Sequence, residues 1–345
     1  MVGVGRMPQA EKRGHERHGE YRPSAPQSGD RLVQPEHRSP RYVRREVASQ
    51  PRAPPYTDSG RAGIVPAAMA ASRSGSFVHR GHRLAYQETG SGERPIVLLP
   101  GLLLPRRMHD PVARRLAERG NRVLTLDLLS HGESDRAKGV GRYSMATFAE
   151  QTVALLDHLE VDEAVVGGTS LGANVALEAA VLAPERLRGL VLEMPVLEGG
   201  YVAAMFVFPP AILALRGGAR VLRPLAALAR RVPRGATALG DSLLSWASQD
   251  PDASADVLHG LLYGRPAPPR REREGITTPA LVIAHTLDPL HALADSEAVV
   301  RDMPNARLVR ARTFLEMRFA PGRLTAKVAD FLDEVWTPSA ERSAV

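Results

Sequence analysis

The sequence predicts an α/β fold: an eight-stranded, mostly parallel sheet with helices on both faces and a helical segment inserted late in the chain. Three observations carry that expectation. From Phe77 onward, short β-type runs alternate with longer segments whose apolar residues recur at helical spacing, the pattern of strands joined by crossover helices. Several of the short runs are apolar throughout, as in Ile96 to Leu99, which marks strands covered on both faces. One long stretch, 196–275, breaks the alternation, with no clear strand and a composition rich in Ala, Leu and Arg.

The elements follow in order. Phe77 to Gln87 reads as a hairpin turning at Arg80-Gly81-His82, and Ile96 to Leu99 as a buried strand. Asp110 to Arg119 is helical, and Arg122 to Leu126 is a strand. Ser144 caps a helix whose apolar positions Phe148, Val153, Leu155, Leu156 and Leu159 recur with helical spacing. Next come a strand at Ala164 to Gly168, a helix from about Leu171 to Leu182 and a strand at Leu190 to Leu192. Beyond the interruption, Ala280 to Ala284 and Arg307 to Arg310 complete the eight strands, and a last helix runs from about Leu324 to Trp336.

Composition narrows the classes of function. The 345-residue chain has no cysteine, which excludes disulfide frameworks, thiolate-bound metals and a thiol nucleophile. Its net charge of +7 first suggests a polyanion partner. Residues 1–68, however, contribute +5 of that charge, with 11 Arg and one Lys against seven acids. The same stretch holds nine Pro, no Phe and no Trp, too little apolar surface to offset chain entropy. Residues 1–71 are therefore expected to be a disordered Arg/Pro-rich extension, with translation starting near Met69, and 72–338 to be the folded domain. The run Pro269 to Glu274 mixes charge signs and the extension lacks interleaved aromatics, so no nucleic-acid partner is expected. The N-terminus has no apolar signal region. The apolar section Tyr201 to Leu215 is short and interrupted by Pro209-Pro210, so no membrane span is expected and the protein is read as cytoplasmic. The stretch 196–275 reads instead as a helical cap over an apolar pocket, with Met205, Phe206 and Phe208 either lining that pocket or packed in the core.

The most informative segment is Gly168-Thr169-Ser170-Leu171-Gly172, a G-x-S-x-G sequence between an apolar strand and an Ala-rich helix. In that context the serine stands in a tight strand-to-helix turn. The glycines remove side chains that would strike the neighbouring strand and helix, a requirement that a plain helix-capping serine does not have. The hydroxyl is then exposed at the carboxyl edge of the sheet, beside amides of the helix start that can bind an oxyanion.

At these residues the chain resembles the α/β-hydrolase superfamily, in particular its small capped serine hydrolases such as esterases, cofactor-free haloperoxidases and enol-lactonases. The resemblance runs from about Phe77 to Trp336. Leu99-Pro100-Gly101-Leu102 looks like the loop that completes the oxyanion hole, with Pro100 where the family commonly has His. The resemblance implies the amides of Leu102 and Leu171 as the oxyanion donors. Asp127 to Ser134 is similar to the family's Asp-x-x-Gly-His-Gly-x-Ser turn, in which His131 is structural. Asp288, in Leu281 to Pro289, matches the triad acid, and Glu193 is a fallback. A serine at the elbow separates the chain from dehalogenases and epoxide hydrolases, which use aspartate there, and favours a carbonyl electrophile.

The chain departs from the family pattern at the general base. Family members carry a histidine about seven residues before the proline that opens the final helix. Counting back from Pro321 reaches Phe314, and no histidine follows His291. Three readings remain. Another histidine takes the role, with His291 preferred over His285 and His109 because it lies past the strand end and has room to turn toward Ser170. Alternatively, Thr313 to Arg318 provides a different solution through Glu316. In the third reading the protein binds a small apolar ligand without turnover. The expected catalytic set is Ser170, Asp288 and His291, with oxyanion donors Leu102 and Leu171, acting on an ester, thioester or lactone of a small apolar substrate. No metal or organic cofactor is expected, and the oligomeric state is left open.

Overall fold

The computed structural model describes residues 71–337 except 234–237, 287, 289–290 and 314–315. The expected extension, the Met69 start and the Phe314 position lie outside the described residues.

The sheet has eight strands in the order β1-β2-β4-β3-β5-β6-β7-β8. A hairpin of β1 (Ser72–His79) and β2 (His82–Thr89) turns at Arg80 and Gly81, both at positive φ, and pairs antiparallel with β4. The remaining strands are parallel to one another: β3 (Arg94–Leu99), β4 (Asn121–Leu126), β5 (Ala164–Thr169), β6 (Leu187–Glu193), β7 (Ala280–His285) and β8 (Ala306–Ala311). Each is a residue or more longer than its apolar run alone suggests, because strand pairing continues into flanking residues that the hydrophobic pattern does not mark.

Side-chain alternation divides the core into two clusters. Ile96, Leu98, Val165, Val191, Leu281 and Ile283 face α1 (Asp110–Ala117) and the C-terminal helix α11 (Gly322–Trp336). Their strand neighbours Val97, Leu99, Val166, Leu190, Leu192 and Val282 face α2 (Met145–His158) and α3 (Leu171–Leu182). Because both faces are covered, the strands read as continuous apolar runs. The helix α2 starts at a reciprocal cap: Ser144 Oγ accepts from Thr147 N at 3.1 Å, and Thr147 Oγ1 accepts from Ser144 N at 2.8 Å.

Between β6 and β7 the chain forms α4 (Glu198–Gly217), α5 (Ala219–Ala229), α6 (Ala238–Ala247), α7 (Pro251–Tyr263) and the short α8 (Arg270–Arg273). After β7 come α9 (Leu293–Asp302), then β8, the short α10 (Glu316–Phe319) and α11. The inserted segment is pinned where it leaves and rejoins the sheet. Asp295 on α9 accepts from the amides of Leu197, Gly199 and Gly200 at 2.8, 3.2 and 2.9 Å, neutralising the N-terminus of α4. Asn174 on α3 bonds both Val196 and Pro266, and Gln249 Nε2 donates to Leu103 O at 3.1 Å.

Two expectations for this segment need correction. Pro209 and Pro210 do not interrupt the apolar stretch: α4 is one helix of 20 residues. The prolines remove the N–H donors for the carbonyls of Met205 and Phe206, but Phe208, Ala211, Ile212 and Leu215 pack against the core and hold the helix through that gap. By length and composition α4 could cross a membrane, with a mean hydropathy of 1.5 over its best window. The second correction concerns its side chains. Phe208 packs on the core, whereas Met205 and Phe206 are 46% and 77% exposed and belong to no core cluster among the described residues.

Candidate active site

The carboxyl ends of β3, β4, β5 and β6 each lead into a loop with one non-glycine residue at positive φ: Leu103, Ser130, Ser170 and Met194. Such backbone costs about 1–3 kcal/mol per residue and persists where surrounding contacts over-determine it. Ser170 has φ 54° and ψ −110° between β5 and α3, and its amide donates to Glu193 O at 2.8 Å. The flanking glycines are required by close approach. A Cβ on Gly168 would lie 2.6 Å from Leu99 O, and one on Gly172 would lie 2.2 Å from the same oxygen. The start of α3 is thereby held against the end of β3, and Ser170 is lifted to the sheet edge.

His291 reaches Ser170 from the loop after β7. Ser170 Oγ and His291 Nε2 are 2.9 Å apart, and His291 Nδ1 and Asp288 Oδ2 are also 2.9 Å apart. Asp288 Oδ1 accepts from the His291 amide at 3.1 Å, which fixes the loop so that one carboxylate orients both backbone and ring of the same residue. An ionised carboxylate only accepts, so Nδ1 carries the proton and Nε2 is left to accept from the serine hydroxyl. A serine, an imidazole and a carboxylate are therefore linked in line within the part-buried edge of the sheet.

The other candidate bases sit elsewhere. His285, the last residue of β7, is buried with its Nε2 3.1 Å from Glu193 Oε1, and Thr169 Oγ1 donates to the other oxygen of Glu193. This makes the fallback acid part of a buried cluster beneath the elbow. His109 is buried with Nε2 2.8 Å from Leu99 O. Glu316 accepts from Arg323 Nε at 2.8 Å and from the Arg312 amide at 2.5 Å; the Arg323 guanidinium holds its carboxyl below the usual range. That carboxylate closes the loop after β8 onto α11. His131 is fully buried, with Nδ1 3.0 Å from Leu129 O and its ring edge-on to Phe148; burial pushes its pKa down to about 4.

One constellation escaped the sequence reading. The Asp127 carboxylate accepts from the amides of Arg106 and Glu133 at 2.6 and 2.9 Å, and from the buried guanidinium of Arg106. It staples the loop carrying Leu102 to the loop carrying His131. Gly132, at φ 44°, must lack a side chain because a Cβ would meet that carboxylate at 2.1 Å. The fixed spacing of Asp127 and Gly132 was visible, but Arg106 lies on another loop and nothing local marks it as buried. The amide of Leu171, first in α3, has no acceptor within its own helix. Gly101 to Leu104 forms a tight turn closed by Leu104 N to Gly101 O at 3.0 Å, with Leu102 half-buried on the same sheet edge. A cleft of about 220 Å³ bounded by His79, His82, Leu129 and Gln151 shares no residue with this site.

A parallel sheet with an antiparallel hairpin, a helical insertion after β6 and a strained serine after the central strand defines an alpha/beta hydrolase fold. The family model of that description matches residues 94–314, more than half of the chain, and the chain belongs to this family. It is similar to a solved hydrolase from Pseudomonas aeruginosa PA01, with a TM-score of 0.62 and 25% identity, covering 75% of this chain and 98% of that one. An enol-lactonase from Burkholderia xenovorans LB400 shares the fold, with a TM-score of 0.62 and 23% identity over 75% of this chain and all of that one. The dihydrolipoyllysine-residue acetyltransferase component of an acetoin cleaving system from Pseudomonas putida is 41% identical over 106 residues, 30% of this chain and 27% of that protein. The chain spans about a quarter to two fifths of the length of the curated relatives it first matches.

Proposed function

We propose that the protein hydrolyses an ester, thioester or lactone bond of a small apolar substrate, with Ser170 as nucleophile, His291 as general base and Asp288 as the residue that orients it. The observation that carries this reading is the pair of 2.9 Å contacts joining Ser170 to His291 and His291 to Asp288. In the first half-reaction Ser170 Oγ adds to the carbonyl carbon while its proton passes to His291 Nε2. Asp288 stabilises the resulting imidazolium. The amides of Leu102 and Leu171 bind the oxyanion, and such a donor is worth about 3–4 kcal/mol to the transition state. Collapse expels the alcohol, thiol or ring oxygen, which takes the proton from His291. Water then repeats the sequence on the acyl-serine and releases the acid.

The inserted helices serve as the cap in this reading. Support comes from the contact of Gln249 with Leu103 O, which seats the turn between α6 and α7 on the loop bearing the oxyanion donor, and from the apolar inward face of α4. One of the solved structures that share the fold is an enol-lactonase.

The test is a fluorophosphonate probe together with short p-nitrophenyl esters. The expected result is labelling of Ser170 and ester hydrolysis, both abolished in Ser170→Ala. A folded protein that takes no label and cleaves no ester would overturn the reading in favour of ligand binding without turnover.

A further inference from the structure

We propose that the outer surface of α4 and α5 docks on an anionic lipid bilayer, seating the protein on a membrane surface without crossing it. This goes beyond the hydrolytic reading and does not depend on it.

The helix α4 is apolar around its whole circumference from Gly199 to Leu215, without one charged side chain. A helix of that kind belongs in a core or in lipid. Yet only one side of it is covered, by α7 and the core residues around Ile212. Val202, Phe206 and Leu213 on the other side are 57%, 77% and 74% exposed. The next helix repeats the pattern: Val221, Leu225 and Leu228 recur at helical spacing, Val232 follows in the turn beyond, and all four are exposed. Isolated exposed apolar residues are ordinary, but two consecutive packed helices presenting apolar rows mark an interaction surface.

Charge selects the occupant. The helix α5 and the turn after it carry Arg220, Arg223, Arg230 and Arg231 and no acid. Arg223 pairs with Asp252, and on α4 Arg216 pairs with Asp256 at 3.1 Å. Among the described residues Arg220 and Arg231 have no ion pair, while Arg230 donates to Ser248 O at 2.9 Å. Arginines beside an apolar row suit the interface of a bilayer with anionic headgroups, where long basic side chains reach the phosphates while the apolar row enters the acyl boundary. A second copy of the chain on this face would bring like charges together. The covered side of α4 and its anchoring at Asp295 oppose its withdrawal from the protein to span a membrane.

Flotation of the full chain with vesicles tests this. The protein should float with equimolar phosphatidylcholine and phosphatidylglycerol, much less with phosphatidylcholine alone, and less at high salt. Phe206→Asp and Leu225→Asp should each weaken binding at least about tenfold, and Arg220→Gln and Arg231→Gln about fivefold each. Circular dichroism should be unchanged, since these side chains are exposed. Ser170→Ala should float as the parent does, so the two readings fail separately. No flotation with anionic vesicles would overturn the proposal. So would flotation insensitive to Phe206→Asp and Leu225→Asp, which would assign binding to arginines elsewhere, or a dimer that those two substitutions dissociate.

Discussion

Two histidine–carboxylate pairs stand at the same edge of the sheet, and their histidines are six residues apart in the chain. His285, at the end of β7, lies 3.1 Å from Glu193 with both side chains at 5% exposure or less. His291, beyond the end of β7, lies 2.9 Å from Asp288 with 17% of its side chain exposed. The chemistry of the partners is nearly the same, and only the second imidazole meets the Ser170 hydroxyl. A residue inside the strand has its direction set by the pleat and is confined to the sheet interior. Six residues on, the loop has left the sheet and can turn back over the edge. Placement relative to the strand end, rather than possession of an acid partner, separates the imidazole that reaches Ser170 from the one held in the sheet interior.

Substitutions can break this comparison. The largest effect is expected from Ser170→Ala and His291→Ala, each lowering kcat/KM on a p-nitrophenyl ester by about 10⁶, with the double variant little worse because the two act as one unit. Asp288→Asn should cost about 10⁴, chiefly by releasing the tautomer that leaves Nε2 free to accept. A third histidine sharpens the contrast: the partner of His131 is a carbonyl rather than a carboxylate, and burial pushes its pKa from 6.5 down to about 4. In the unfolded chain it takes up a proton near pH 6.5, while the folded protein resists until about pH 4. The stability it supports is complete above pH 6.5 and is lost as the pH falls toward 4, by up to about 3 kcal/mol. Urea unfolding across that range should show the loss, and His131→Gln should flatten it. The smallest effect on turnover is expected from His285→Gln, within about tenfold, accompanied by about 1–3 kcal/mol of destabilisation as Glu193 loses a buried neighbour.

Much of the fold was legible because strand burial leaves continuous apolar runs, and the G-x-S-x-G turn was legible because its glycines answer to contacts of 2.2 and 2.6 Å with Leu99. The seating of His291 was harder to read. The familiar position after the last strand is vacant of histidine, and three histidines near the sheet edge compete on sequence alone; only loop direction distinguishes them. The partnership of Arg106 with Asp127 was hidden because it joins separate loops. Residues of α4 misled for the opposite reason. The sequence places Met205, Phe206 and Phe208 in the core or along a pocket and has Pro209-Pro210 interrupt the apolar stretch, whereas packing on one side sustains the helix and leaves Phe206 outside the core.

The rate at which a fluorophosphonate labels Ser170 in His291→Ala and in His285→Ala, measured side by side on folded protein, tests the central claim most directly. The account predicts that His291→Ala slows labelling by about 10³ or more while His285→Ala stays within about tenfold of the parent. Rapid labelling in His291→Ala, or an equal loss in both variants, would contradict it.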